Sequence, residues 1–344
     1  MRFLFFIPSR HRATGGISII FDAIAVLNEA GFAAYALCDE PHFEFVQHVF
    51  RVPRLWSKSV RRVGGGLHPK SVVQRLRKRK RGKIKAAPCA QWQPEPNDVV
   101  VVPEFSAHWM PRQLPRDVPL ILLNQNPFAL LRVFSRAGFN AADFAASLST
   151  SKACSAASRM VFNSEPAHLP LFIAEDRYAF QAEKTFQVAY MPRKRRDSAH
   201  TLVKALQATP GLETVPFVPI DGMTASEAAQ ILRESLFFLS LSKREGFGLP
   251  AAEAMATGSV VIGYTGIGGD EFFDVTTGFP VPEENLMQFY DTAVSVIKSY
   301  QKDAAPLDQL RQHASATIFQ NYPKSAFEDA VLNVFSQFKT SLAL

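Results

Sequence analysis

Apolar and polar positions alternate in blocks along this chain, and the blocks change period in a regular order. Arg2 to Pro8 is a short apolar run that ends in the polar, glycine-containing stretch SRHRATGG. From Ile17 to Ala30 the apolar residues fall at 17, 20, 21, 24 and 27, the spacing of one helix face, and Gly31 supplies a C-terminal stop. Phe32 to Leu37 then reads as a second strand, which completes a strand–helix–strand unit and predicts a Rossmann-type start. Further apolar runs lie in DVVVVPE (98–104), VPLILLNQN (118–126) and RMVFNSE (159–165). Each ends in polar residues, as parallel strands do where they deliver side chains to a site at their carboxyl ends.

A second series begins near Phe186. TFQVAYMPRKRRD predicts a strand running into a basic loop, Ala199 to Ala208 a helix, ETVPFVPID a strand, and TASEAAQILRES a helix with Thr224 to Glu227 as a capping box. LFFLSLS and SVVIGYTG are two more strands, separated by a short helix, PAAEAMATG, with Pro250 in its first turn and Gly258 past its end. Two α/β domains in tandem are therefore expected, at 1–180 and 181–323, with a terminal helix at 324–344 that packs back on the first domain.

Composition refines this picture at one place. The apolar share of 47% and charged share of 20% over 344 residues are those of a folded globular protein. The net charge of +7 is local: residues 51–85 hold 14 of the 38 Lys and Arg, and no Asp or Glu occurs between Glu44 and Glu95. Without that insertion the remaining 24 basic and 31 acidic residues give −7. Such a segment suits an anionic lipid surface or a lipid pyrophosphate. It holds Trp56 as its only aromatic and no nucleic-acid recognition motif, so no nucleic acid is expected as a partner. No apolar run reaches the length of a membrane span, and the start does not read as a secretory signal. Cys38, Cys89 and Cys154 match neither a disulfide framework nor a zinc site. A cytoplasmic protein, peripheral on the membrane through its basic segment, is expected.

The candidate chemistry lies in KREGFGLPAAEAMATGS (243–259), at the carboxyl end of a buried strand and the start of a helix. The first amide groups of that helix point outward unpaired, and Gly246 and Gly248 let a bound group approach the backbone. A carboxylate accepts hydrogen bonds from two neighbouring hydroxyls at once, which suits a ribose or a hexose. Glu245 in the loop and Glu253 in the first turn of the helix would face one pocket at different depths.

The stretch EGFGLPAAEAMATG resembles the donor-site signature of the retaining family 4 glycosyltransferases of GT-B fold, in which seven residues separate two glutamates as they separate Glu245 and Glu253. The resemblance implies two Rossmann-like domains facing each other across a cleft, and transfer of a sugar from a nucleoside-diphosphate sugar to a glycan or lipid-linked acceptor. It implies that Glu253 binds the ribose hydroxyls and Glu245 contacts the transferred sugar, with Gly246, Phe247, Gly248 and Leu249 completing the donor loop. Arg193 and Lys194 in YMPRKRR stand where the family holds the diphosphate. Gly15 and Gly16 match a glycine pair that lets the backbone approach it, and Gly268 and Gly269 in GIGGDE would leave room for the sugar. Where many members carry a histidine, LLNQNPF offers Asn124, Gln125 and Asn126; Gln125 and Asn126 are expected to contact donor or acceptor through amides that do not titrate.

No Asp-x-Asp occurs and no His, Cys or carboxylate cluster has metal-ligand spacing, so metal-independent transfer without a cofactor is expected. The alternatives are another GT-B chemistry, such as sugar-nucleotide epimerisation or phosphorolysis, a nicotinamide-dependent enzyme, and a basic nucleic-acid-binding protein. The second lacks a G-x-G-x-x-G fingerprint.

Overall fold

A computed structural model of the chain describes residues 1–8, 15–41, 52–61 and 89–342. Most of the basic insertion expected at 51–85 lies outside the described residues. Among the described residues the first sheet has eight strands: β1 (Arg2–Ile7), β2 (Ala33–Cys38), β3 (Arg54–Trp56), β4 (Ala90–Gln91), β5 (Asp98–Pro103), β6 (Leu120–Asn124), β7 (Ala146–Ser149) and β8 (Ala167–His168). They run in the order β4-β3-β2-β1-β5-β6-β7-β8, with every pairing parallel. The second sheet contains β9 (Thr185–Tyr190), β10 (Phe217–Pro219), β11 (Ser235–Leu241), β12 (Val260–Tyr264) and β13 (Phe279–Pro280), in the parallel order β10-β9-β11-β12-β13.

Parallel strands need crossovers on both faces, and central strands so covered carry apolar residues without alternation. β5, β6 and β11 are buried at every position. In β1 the pleat still sorts the two faces: Phe3, Phe5 and Ile7 enter one core cluster, Leu4 and Phe6 another. Strand order reverses between β1 and β5 in the first sheet and between β9 and β11 in the second. Those switch points open a crevice at the strands' carboxyl ends, where ligands bind in open α/β sheets.

One expected strand is a helix. Residues 159–162 of RMVFNSE close the Lys152–Phe162 helix, which ends on Asn163 in the left-handed region, and the strand of this unit is β7, earlier in the chain. The contiguous Met160, Val161 and Phe162 imitate a strand, but burial follows the helical spacing of Cys154, Ala157, Ser158 and Val161. Met160 is exposed. The predicted capping box is present: the Thr224 hydroxyl accepts from the Glu227 N–H, and the Glu227 carboxylate accepts from the Thr224 N–H.

After the second sheet the chain returns. The Lys324–Ser341 helix packs on the Gly15–Glu29 helix and β1, with Phe335 fully buried, edge-on to Phe3 at 4.9 Å between ring centroids and 5.4 Å from Phe5. Phe327 beside it meets Phe172 of the interdomain segment at 5.0 Å. The apolar core therefore runs without a break from one domain to the other. Phe335→Ala would leave a ring-sized cavity in this core, and we expect a loss of about 3 to 5 kcal/mol in urea denaturation followed by circular dichroism; an unchanged midpoint would show that the helix is not docked there.

Candidate functional site

The switch point of the second sheet gathers charge. β9 ends at Tyr190 and leads into a turn, Pro192–Lys194, while β11 leads into the loop that carries Glu245. Across the two loops Lys194 Nζ lies 2.5 Å from Glu245 Oε1, with side-chain exposures of 34% and 19%. A pair that open to solvent contributes under about 1 kcal/mol, so it exchanges readily for a ligand's own charges. Arg193 is exposed and makes no hydrogen bond or ion pair with a described residue. The next two cations of PRKRR are engaged elsewhere. Arg195 is 5% exposed, donates to the Ser242 carbonyl at 3.1 Å, pairs with Glu283 and Glu284, and lies over the Tyr264 ring. Arg196 pairs with Asp221 at 2.8 Å.

Glu253 has different surroundings. It is the fifth residue of the Leu249–Ala256 helix, just past the first turn in which the sequence places it. Although the residue keeps some accessible surface, burial of its carboxyl pushes the pKa up to about 7, against the weaker opposing effects of the Tyr178 hydroxyl and the Arg177 guanidinium. Tyr178 is itself buried, and burial together with Glu253 raises its pKa.

The first domain contributes its strand ends. A Cβ added at Gly15 would come 2.7 Å from a Leu249 methyl carbon, and one at Gly16 would come 2.8 Å from Gln125 Oε1. Gln125 Nε2 donates to the Gly16 carbonyl at 2.9 Å. The tightest approach is at Gly246, where a Cβ would sit 1.9 Å from the Gln125 carbonyl oxygen; no other residue type fits there. Gly15, Gly16, Gln125, Gly246 and Leu249, drawn from three distant segments, thus form one seam.

Three expectations change. Phe247 is 3% exposed and its ring packs on Phe272 at 4.8 Å and Tyr322 at 4.9 Å, so its side chain is core and only its backbone borders the seam. Gly268 leaves no space over its Cα: a Cβ would meet the Gly246–Phe247 peptide at 2.5 to 2.6 Å, whereas at Gly269, also buried, the nearest atoms would be 3.6 Å away. Gly268 thus lets two loops stack rather than opening room for a sugar. Both ends of the Asn126 amide are engaged, its Oδ1 accepting from the Ala129 N–H and its Nδ2 donating to the Arg244 carbonyl, both at 3.0 Å, which leaves one N–H of Nδ2 over.

The loops around Glu245 also hold backbone strain. Arg244, Ile267 and Glu284 have φ of 50°, 71° and 64° without being glycine, a cost of roughly 1 to 3 kcal/mol each that concentrates at ligand clamps. Sequence reasoning passed over several neighbours. Glu104, buried at the end of β5, accepts from the Gln125 N–H at 3.2 Å, and Ser151 donates to the Gly246 carbonyl at 2.5 Å. Ser151 carried a legible signal as the N-cap of a helix, hidden by the expectation of a strand at 159–165. Among the described residues, no group of three or more His, Cys, Asp or Glu is placed to hold a metal ion.

Comparison with known proteins bears on the fold. No protein-family model matches the chain. Over 127 residues it is 31% identical to an alpha-1,6-glucosyltransferase of Actinobacillus pleuropneumoniae, which covers 36% of this chain and 38% of that protein. A second relative, from Acidianus filamentous virus 2, shares 31% identity over 108 residues, 30% of this chain and 31% of the other. The chain thus spans only about a third of the length of the curated relatives it matches. Among solved structures, the Anabaena HepE protein in complex with UDP superimposes with a TM-score of 0.64 at 15% identity, over 98% of this chain and 100% of that one. The sucrose-phosphate synthase of Thermosynechococcus elongatus gives 0.67 at 13% identity, over 99% and 100%. The chain therefore has the GT-B fold, an α/β architecture of two Rossmann-like domains that meet along the seam of Gly16, Gln125 and Gly246.

Proposed function

We propose that the protein is a glycosyltransferase that moves a sugar, with retention of configuration and without a metal, from a nucleoside-diphosphate sugar to a glycan or lipid-linked acceptor. The observation that carries this reading is the exchangeable Lys194–Glu245 pair at the second sheet's switch point, with Arg193, unpaired among the described residues, beside it. A diphosphate arriving there would take Lys194 and Arg193 as counter-charges and release Glu245 toward the sugar hydroxyls. The partial positive charge at the start of the Leu249–Ala256 helix adds to the same field.

In the proposed step the bond between the sugar C1 and the β-phosphate oxygen breaks, and its electron pair stays on that oxygen. Arg193 and Lys194 stabilise the growing negative charge more in the transition state than in the bound donor. The acceptor hydroxyl oxygen bonds to C1 from the face that the phosphate leaves, and its proton passes to the departing phosphate oxygen. No separate base is required. Glu245 orients the sugar, and Glu253 accepts the ribose hydroxyls.

The first test is thermal denaturation with UDP, GDP, ADP, dTDP or CMP in the presence of EDTA. UDP leads the panel because the Anabaena structure contains it. A ligand at about 100 times its dissociation constant adds roughly 2.7 kcal/mol to the folded state, and we expect one nucleotide to raise the midpoint and Glu253→Ala to abolish the rise. If none binds, the donor-site reading fails. The same site has a pH signature. Ribose hydroxyls need ionised Glu253, whose pKa before binding is about 7, so binding expels a proton and affinity climbs with pH. Between pH 6 and 8 the affinity for the nucleotide should rise about tenfold through this group, and calorimetry on Glu253→Gln should show that component removed. For the basic segment we propose contact with anionic lipid, in keeping with its 14 cations; deletion of 71–85 should abolish co-flotation with phosphatidylserine vesicles, and intact flotation would refute this.

A further inference from the structure

Two helices of the first domain begin beside the seam, and their caps have a second use. The Asn126 side-chain oxygen accepts from the Ala129 N–H and caps the Pro127–Phe134 helix, which leaves its amide N–H to donate to the Arg244 carbonyl at 3.0 Å. The Ser151 hydroxyl oxygen accepts from the Cys154 N–H at 3.1 Å and caps the Lys152–Phe162 helix. Its single proton is then free for the Gly246 carbonyl, 2.5 Å away. In each cap the acceptor serves its own helix and the donor serves the other domain.

The two carbonyls so held flank Glu245. Its own N–H donates to the Gly266 carbonyl at 2.9 Å, inside the second domain. The peptide groups around Glu245 are thereby fixed from both domains at once, which sets the direction in which its carboxylate leaves the loop. A third link lies alongside: the Lys152 N–H, first in its helix, donates to Glu271 at 2.8 Å, and Tyr322 donates to the other oxygen of that carboxylate at 3.2 Å.

We propose that Asn126 and Ser151 are positioning residues that clamp the carbonyls on either side of Glu245, so that the carboxylate takes its working direction only when the two domains are closed. The assignment rests on the donor-site reading for the role of Glu245. The nucleotide seat formed by Arg193, Lys194 and Glu253 lies wholly in the second domain and does not depend on the clamp. Loss of the clamp therefore lowers turnover and leaves nucleotide affinity in place.

Asn126→Asp separates capping from clamping, because the carboxylate keeps the oxygen that caps the helix and loses the donor to Arg244. In hydrogen–deuterium exchange of the unliganded protein, amides of 243–249 should exchange about three to ten times faster in this variant, the factor carried by one hydrogen bond. Protection of 127–134 should stay as in the wild type. Ser151→Ala should act likewise on 243–249, and Ser151→Thr, which keeps both oxygen and proton, should restore it. With UDP-glucose, hydrolytic turnover should fall by about the same factor in Asn126→Asp while the dissociation constant for UDP changes less than about twofold. Equal exchange at 243–249 in Asn126→Asp and wild type, or a Ser151→Thr variant no better than Ser151→Ala, overturns the proposal. If the exchange results hold but none of the nucleoside diphosphates binds the wild type, the clamp stands and the donor-site reading falls.

Discussion

The site depends on one backbone-to-backbone contact. The Cα of Gly246 lies against the carbonyl of Gln125 so closely that a Cβ would overlap the oxygen, and this sets how near the two sheets' carboxyl ends can come. Close approach brings the Asn126 amide and the Ser151 hydroxyl within hydrogen-bonding distance of the next domain's carbonyls. It also seats Leu249 on Gly15 and lines up the starts of two helices. A methyl group in place of one hydrogen would hold the domains apart and leave those partners facing water.

Around this contact the protein maintains two carboxylates in opposed environments. Glu245 lies near solvent with a lysine beside it, whereas Glu253 is sunk against Tyr178 with its ionised form disfavoured. Eight positions along one loop and helix suffice for the difference, because the loop faces the crevice and the helix is wedged between its neighbours. The partly exposed charge suits exchange of partners. The buried one has a strong preference for a ligand that donates hydrogen bonds to it.

Much of this was legible beforehand because its causes are local. The α/β alternation follows from the apolar runs, the capping box from Thr224 and Glu227, and the glycine-rich corner from the position of EGFGLP between a strand and a helix. What escaped notice depends on contacts between distant segments. Nothing near Phe247 announces that Tyr322 will cover its ring, and nothing near Gly268 announces the peptide that will press on it. The misread strand at 159–165 had the same origin: three adjacent apolar residues carry no record of which of them will face water. Asn126 was singled out for its chemistry, but its two hydrogen-bonding ends were assigned by the helix behind it and the domain in front.

The return of the Lys324–Ser341 helix to the first domain has a bearing on how the chain is made. Phe3 and Phe5 leave the ribosome long before the ring that covers them, Phe335, which lies 330 residues further along the chain than Phe5. At the usual pace of synthesis the interval is on the order of tens of seconds. During it the first sheet can pair its strands but cannot close its core on that face, so the nascent domain waits with apolar surface open. Completion of the first domain therefore waits on synthesis of the second, and the two halves reach stability together rather than in turn.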